Sequence, residues 1–334
     1  MSKRILFPLT AVALLGCATA MAGPTFYGSI RTQIEYVDPD NVDGNFDRYL
    51  GVRDAYSRIG VKIEETVVED WSLLAQLELP LDTGNLMHQD PYNHGVHERI
   101  YKLQLSGPLG TVWAGQSWMP YYNAIAAPMD QFSSYYSGFG TFTGFRMGDT
   151  ISYATPVYQG VKVAAALSGD NGYNGSDRAQ LAVSYKNEGL SVNAGIDNPD
   201  GADSSRIYGL AVSYALGPWR FAAKREFFDS DNDADVFGQD GSKASNLLVQ
   251  YTSGNNTFRG MYADVDNYGE RVFHAGWDHK YNDNLKVFLE YYSEEETVAI
   301  AGSGDTTSVG HAATNRADSG GKAVLTGIRY DFSL

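Results

Sequence analysis

The 334-residue chain has one cysteine, Cys17, and after Gly23 no apolar run long enough to cross a membrane as a helix. A lone cysteine cannot bridge within its own chain, so a disulfide scaffold is excluded. A spanning helix needs about 18–20 apolar residues, so an inner-membrane helical protein is excluded too. Positive charge is scarce: 25 Lys+Arg stand against 40 Asp+Glu, a formal net charge of −15. Phosphate contacts need clustered bases, which argues against a nucleic-acid partner. Catalytic signatures are missing as well, with no G-x-S-x-G elbow, no H-E-x-x-H and no glycine-rich phosphate loop opening a helix. Neither an enzyme nor a cofactor is expected. What the chain does have is 23 Tyr, 15 Phe and 36 Gly, with 43% hydrophobic and 19% charged residues. That composition fits neither a disordered polyanion nor a bundle of buried helices.

Residues 1–22 read as an export address. Lys3 and Arg4 form a positive start, residues 5–16 an apolar stretch broken by Pro8 and Thr10, and Ala20-Met21-Ala22 a small-x-small cleavage site before Gly23. Leu14-Leu15-Gly16-Cys17 offers a rival reading, a lipoprotein signal acylated at Cys17. Cleavage after Ala22 leaves residues 23–334 as one domain with 23 bases, 40 acids and a net charge of −17.

That domain alternates with period two in segments of about ten residues. Phe26, Gly28, Ile30, Thr32, Ile34 and Tyr36 share one face, and Tyr27, Ser29, Arg31, Gln33 and Glu35 the other. Ile59, Val61 and Ile63 oppose Arg58, Lys62 and Glu64 in the same way. A soluble sandwich produces such ribbons too, so the connections decide. Short turns are expected at 67–70, 107–109, 156–160, 187–189, 216–218, 254–255 and 281–284. They alternate with mostly longer stretches at 38–53, 82–95, 120–146, 169–176, 198–203, 229–242, 266–269 and 297–320. Seven turns alternating with eight loops divide the chain into sixteen strands. Tight turns on one side and long loops on the other are the arrangement of an outer-membrane barrel. The expected fold is therefore all-β: a closed sixteen-stranded antiparallel transmembrane barrel with short periplasmic turns and long external loops. Tyr27, Tyr36, Tyr185, Tyr214, Trp219, Phe221, Tyr251, Phe258, Tyr281 and Phe288 cluster near strand ends, as aromatic girdles would.

The opening Phe26-Tyr27-Gly28, the run Ser57-Arg58-Ile59-Gly60-Val61-Lys62, residues 107–115 and the alternating terminus Ile328–Leu334 are spread over nearly the whole domain. In order and spacing the chain resembles the general bacterial porins, the trimeric sixteen-stranded porins of Gram-negative outer membranes. It departs from them in ending on Leu334 where the family usually ends in Phe, and in carrying Gln116 where a base is frequent. The resemblance implies a homotrimer in contact with outer-membrane lipid and lipopolysaccharide, passing ions and small hydrophilic solutes by diffusion.

It also implies that the third loop, residues 119–146, folds into the barrel. The loop's eight aromatics, Tyr121 and Tyr122 among them, suit packing on an inner wall. By the same resemblance Arg58 and Arg146 match wall positions of the constriction, with Arg31, Lys62 and Lys102 as further candidates, Gln116 replacing one member and Asp130 the obvious loop acid. The net charge of the mature chain argues for a modest cation preference. A substrate-selective channel, for example a sugar porin, is the alternative, because rings stack on pyranose faces. An outer-membrane hydrolase is a remote one. His88, Tyr92 and His94 fall where family members latch onto the neighbouring subunit. No metal site is expected; Asp229, Asp231 and Asp233 imitate the start of a calcium loop, but Ala234 and the lack of a closing Glu break it.

Overall fold

The computed structural model describes residues 23–40, 48–83, 98–169, 177–199, 205–230, 240–266, 270–295, 299–300 and 320–334. The leader at 1–22, the latch candidates His88, Tyr92 and His94, and Asp231 and Asp233 lie outside the described residues.

Strands make up nearly everything described. The first six are β1 (Thr25–Pro39), β2 (Tyr49–Asp54), β3 (Arg58–Val68), β4 (Trp71–Pro80), β5 (Ile100–Gly107) and β6 (Gly110–Trp118). Then come β7 (Arg146–Ala154), β8 (Val161–Ser168), β9 (Arg178–Asn187), β10 (Leu190–Asn198), β11 (Ser205–Leu216) and β12 (Trp219–Ser230). The last five are β13 (Lys243–Ser253), β14 (Asn256–Val265), β15 (Glu270–Lys280), β16 (Leu285–Glu294) and β17 (Gly321–Ser333). All neighbours pair antiparallel, and β17 returns to pair with β1, which closes the sheet.

These segments make sixteen barrel strands, because β2 and β3 are two halves of one. Both pair with β1, with Tyr36 opposite Leu50 and Gly28 opposite Ile59. Between them Tyr56 takes φ 67°, while the Ser57 backbone N–H donates to Asp54 Oδ2 at 2.8 Å. The first loop is accordingly shorter than the sequence suggested, since pairing with β1 resumes at Tyr49.

The barrel is inside out relative to a soluble sheet. On β1, Phe26 and Ile34 are 55% and 51% exposed, whereas Gln33 and Glu35 are each 1% exposed. Period-two alternation therefore sends the apolar face to the lipid and the polar face to the lumen. Tyr36, Tyr185, Tyr214, Trp219, Phe221, Phe258 and Tyr281 face outward as a girdle requires. Tyr27 and Phe288 do not: the Tyr27 hydroxyl donates to Glu78 inside, and Phe288 is fully buried. Both sit at lumen-facing positions of their strands, so parity overrides their nearness to strand ends. At the seam, Phe26 and Leu334 exchange backbone hydrogen bonds of 3.1 and 2.7 Å.

Depth in the bilayer gives a test. Leu210, halfway along β11, and Leu216 at its turn end are 51% and 57% exposed. Leu210→Arg is expected to cost about 2–4 kcal/mol and Leu216→Arg less than about 1 kcal/mol. Denaturant unfolding of vesicle-reconstituted protein measures both, and equal costs would contradict the assigned membrane face.

Candidate pore lining

The third loop folds inward. It begins with a short π-helical segment, Tyr122–Ala126, and its base is closed by the Met119 N–H donating to Phe145 O at 2.9 Å. Side chains of the inner wall hold it at many points. The Tyr121 N–H donates to Gln180 Oε1 at 3.0 Å, and the Tyr135 N–H to Gln33 Oε1 at 2.8 Å. The Ser133 N–H donates to Glu290 Oε1 at 2.8 Å, and Thr141 Oγ1 to Glu226 Oε1 at 2.8 Å. Thr143 Oγ1 donates to Asp197 Oδ2 at 2.6 Å. Arg220 Nη2 reaches Pro128 O at 2.9 Å, and Lys224 Nζ donates to Gly140 O. A loop inside a barrel cannot leave its backbone groups unpaired, and wall residues supply the partners.

Ring contacts complete the attachment. Phe132 lies flat on His274 with centroids 3.6 Å apart, and Tyr136 stacks on Tyr292 at 4.7 Å. Tyr121 fits against the backbone of β10 and β11, where Gly195 and Gly209 leave room for it. A Cβ on Gly195 would stand 2.9 Å from the Tyr121 ring, and one on Gly209 would collide with its hydroxyl.

Between the loop and the facing wall is a cavity of about 520 Å³. Arg31, Arg58, Arg146, Asp130 and Tyr122 all line it. So do four bases that the sequence reading missed: Arg99, Arg259, Lys286 and Arg329. Glu78 lies between Arg58 and Arg99, 3.6 Å from Arg58 Nε and 2.9 Å from Arg99 Nε. Asp278 accepts from Arg259 Nη1 at 2.8 Å and Lys286 Nζ at 2.9 Å. Asp331 accepts from Arg329 Nε at 2.7 and 3.0 Å. Arg146 lies over Trp118, its Cζ 4.7 Å from the ring centroid. Tyr122 stacks on the same Trp118 at 4.7 Å and donates its hydroxyl to Asp130 Oδ2 at 2.7 Å.

Lys62, Lys102, Gln116 and Tyr121 do not line this cavity. Lys62 shares the lumen-facing parity of Arg58 but sits four residues nearer the Glu69–Asp70 turn. Lys102 donates to Gln104 Oε1 at 2.9 Å on its own strand. Gln116 follows a bulge that Gly115 opens at φ +119°, and its buried amide donates to the carbonyl oxygens of Glu98 and Arg99. It therefore braces the chain that presents Arg99. Tyr121 is buried behind the loop.

Three of the missed bases, Arg259, Lys286 and Arg329, share one signal, which is parity; Arg99 precedes β5 at the parity of outward-facing Tyr101 and Leu103 and is held inside by its pairing with Glu78. Arg329 alternates with outward-facing Ile328 and Tyr330, and so is bound to point inward.

A sequence profile of the Gram-negative porins matches residues 9–299, and the chain belongs to that family. It is an outer-membrane channel for passive diffusion and not an enzyme. Solved barrels of the same fold include the anion-selective porin from Comamonas acidovorans, at 18% identity, TM-score 0.70, with 93% of this chain and 99% of that one covered. OmpF of Salmonella typhi in complex with daunomycin aligns at 15% identity, TM-score 0.68, covering 92% and 97%. A triple mutant of the Rhodopseudomonas blastica porin aligns at 16%, TM-score 0.65, covering 93% and 100%. No curated relative matches the chain.

Tyr121 and Ile125 occupy the space that a side chain at 209 would need, so Gly209→Val forces the loop off the wall. The expected result is an altered single-channel conductance, with a stability loss of about 1–3 kcal/mol from overpacking. An unchanged conductance and unfolding midpoint would contradict the attachment described.

Proposed function

We propose that this porin is a general diffusion channel whose loop-and-wall cavity is the constriction, and that the constriction favours anions. The observation that carries the reading is the lining: seven bases face the cavity with only Glu78 and Asp130 as lining acids among the described residues. The net charge of the chain supports cations instead, but a charge acts on a passing ion within roughly one Debye length, ~8 Å at physiological salt. Many wall acids are already committed to loop backbone or to bases. The fold shared with an anion-selective porin is consistent with this reading.

The sugar-track alternative finds less support. A ring used for stacking on a sugar needs a free face. Trp118 has both Arg146 and Tyr122 against it, and Phe132 and Tyr56 each have one face taken, by His274 and Tyr135. The same reading includes the leader at residues 1–22, supported by its charged, apolar and small-residue pattern. It also includes a homotrimer among lipid and lipopolysaccharide, supported by family membership.

In a planar bilayer under a potassium chloride gradient, the reversal potential is expected on the anion side. Arg58→Gln is expected to move it toward zero, and a cation-sided wild-type value would sink the reading.

Asp130 adds a pH dependence. Loss of hydration between loop and wall raises its pKa, opposed by the Tyr122 hydrogen bond and the nearby arginines. A raised pKa means the carboxylate takes up its proton at a higher pH than an ordinary one, so its charge is lost first on acidification. Anion preference should therefore rise at the start of the carboxylate range, and Asp130→Asn should abolish that first step. The step is read from reversal potentials across a pH series, and its persistence in the variant would assign it elsewhere.

A further inference from the structure

One row of bases in the lining does more than make the lumen positive. In the sheet register Arg31 of β1 stands directly opposite Arg329 of β17, and Arg329 directly opposite Lys286 of β16. Three bases thus occupy consecutive lateral positions on three neighbouring strands, and all three line the cavity. Side chains so opposed have Cβ atoms about 4.5–5.5 Å apart, where like charges destabilise a sheet.

The row is only partly neutralised. Arg329 has Asp331, and Lys286 shares Asp278 with Arg259. Arg31 has no carboxylate on its guanidinium among the described residues. Its one hydrogen bond there runs from Nε to Ser29 Oγ at 2.8 Å, although only 9% of the residue is exposed. A guanidinium withdrawn from water without a carboxylate is costly, and an arriving oxyanion relieves that cost with paired, charge-assisted hydrogen bonds. A second cation is close by, since Arg58 stands opposite Ser29, two residues from Arg31.

We infer that the Arg31–Arg329–Lys286 row is a saturable binding site for small oxyanions carrying two negative charges, such as sulfate or a short dicarboxylate. The inference rests on the anion-favouring reading and narrows it to a solute class. A monoanion brings one negative charge to the row, whereas a dianion brings two, is attracted about twice as strongly by neighbouring members and offsets more of the repulsion between them. Such a solute enters more readily than its size alone allows, and at high concentration it occupies the passage and slows chloride.

The test is chloride current through single channels with sulfate or succinate added to one side, and acetate as the monoanion control. Sulfate and succinate are expected to block saturably at concentrations where acetate does not. Arg329→Gln and Lys286→Gln are each expected to weaken the block about tenfold, the scale of one charged hydrogen bond. The conductance of each variant itself reports an assembled barrel, and the pair keeps the test available if Arg31→Gln fails to assemble. Equal effects of acetate and sulfate, or variants that block like the parent, with the potential still anion-sided, would overturn the site and leave the anion-favouring channel standing. A cation-sided reversal potential would overturn both.

Discussion

Every backbone N–H and C=O that crosses a bilayer needs a partner within the protein, and the rest of this structure depends on that requirement. It closes the sheet, bringing β17 back to β1 over thirteen paired positions. Closure fixes two faces, and lipid claims the apolar one. Polar residues at alternate positions are then obliged to face a lumen, so Gln33, Glu35 and Asn246 are buried not in an apolar core but behind an inserted loop. The third loop obeys the same rule once inside the barrel, because its backbone too must be paired.

That second requirement decides where the charge of the molecule goes. Glu226 receives Thr141 and Lys224, Asp197 receives Thr143 and Arg178, and Glu290 receives the Ser133 N–H and His274. Glu35 receives Arg53, Gln33 and Tyr49. The wall carboxylates thus act as anchors on the side the loop covers. Bases collect on the side it leaves open, with Glu78, Asp278 and Asp331 each held between or beside them. A protein with a strong acidic excess in this way presents a basic lining to its cavity. Removing an anchor acid would strand its partner, since breaking a buried pair costs far more than the pair contributes.

Much of the fold was legible from period-two alternation and from the alternation of short and long connections. The break at Ala55–Ser57 was not, because it depends on tertiary contacts: Ser57 Oγ accepts from the Arg31 N–H and donates to Arg31 O, while Tyr56 reaches the carbonyl of Tyr135 seventy-nine residues on. The inward loop was legible through its aromatics, although most of those rings serve attachment and not solute contact. Of the cavity bases, Arg31, Arg58 and Arg146 were anticipated. Arg259, Lys286 and Arg329 were within reach of parity, which says that a residue faces inward; Arg99 was not, because it precedes β5 at the outward parity and turns inward only through its contact with Glu78. Parity does not say at what height, because strand tilt and register decide which inward residues meet at one level. Lys62 and Lys102 face the lumen and still miss the cavity for that reason. Selectivity was the least legible property, since net charge counts residues without locating them.

The central claim is that a few groups at the loop-covered waist, and not the total charge, set ion preference. It is tested most directly by neutralising acids far from the waist. Glu64 and Glu69 are exposed and Glu65 is half-buried, all three lie toward the β3–β4 turn, and none lines the cavity. The reversal potential of the triple glutamine variant should match that of the parent at physiological ionic strength, where screening confines each charge to its surroundings. A shift toward anions comparable to the opposite shift produced by removing one lining arginine would contradict the account, and would return control to the net charge.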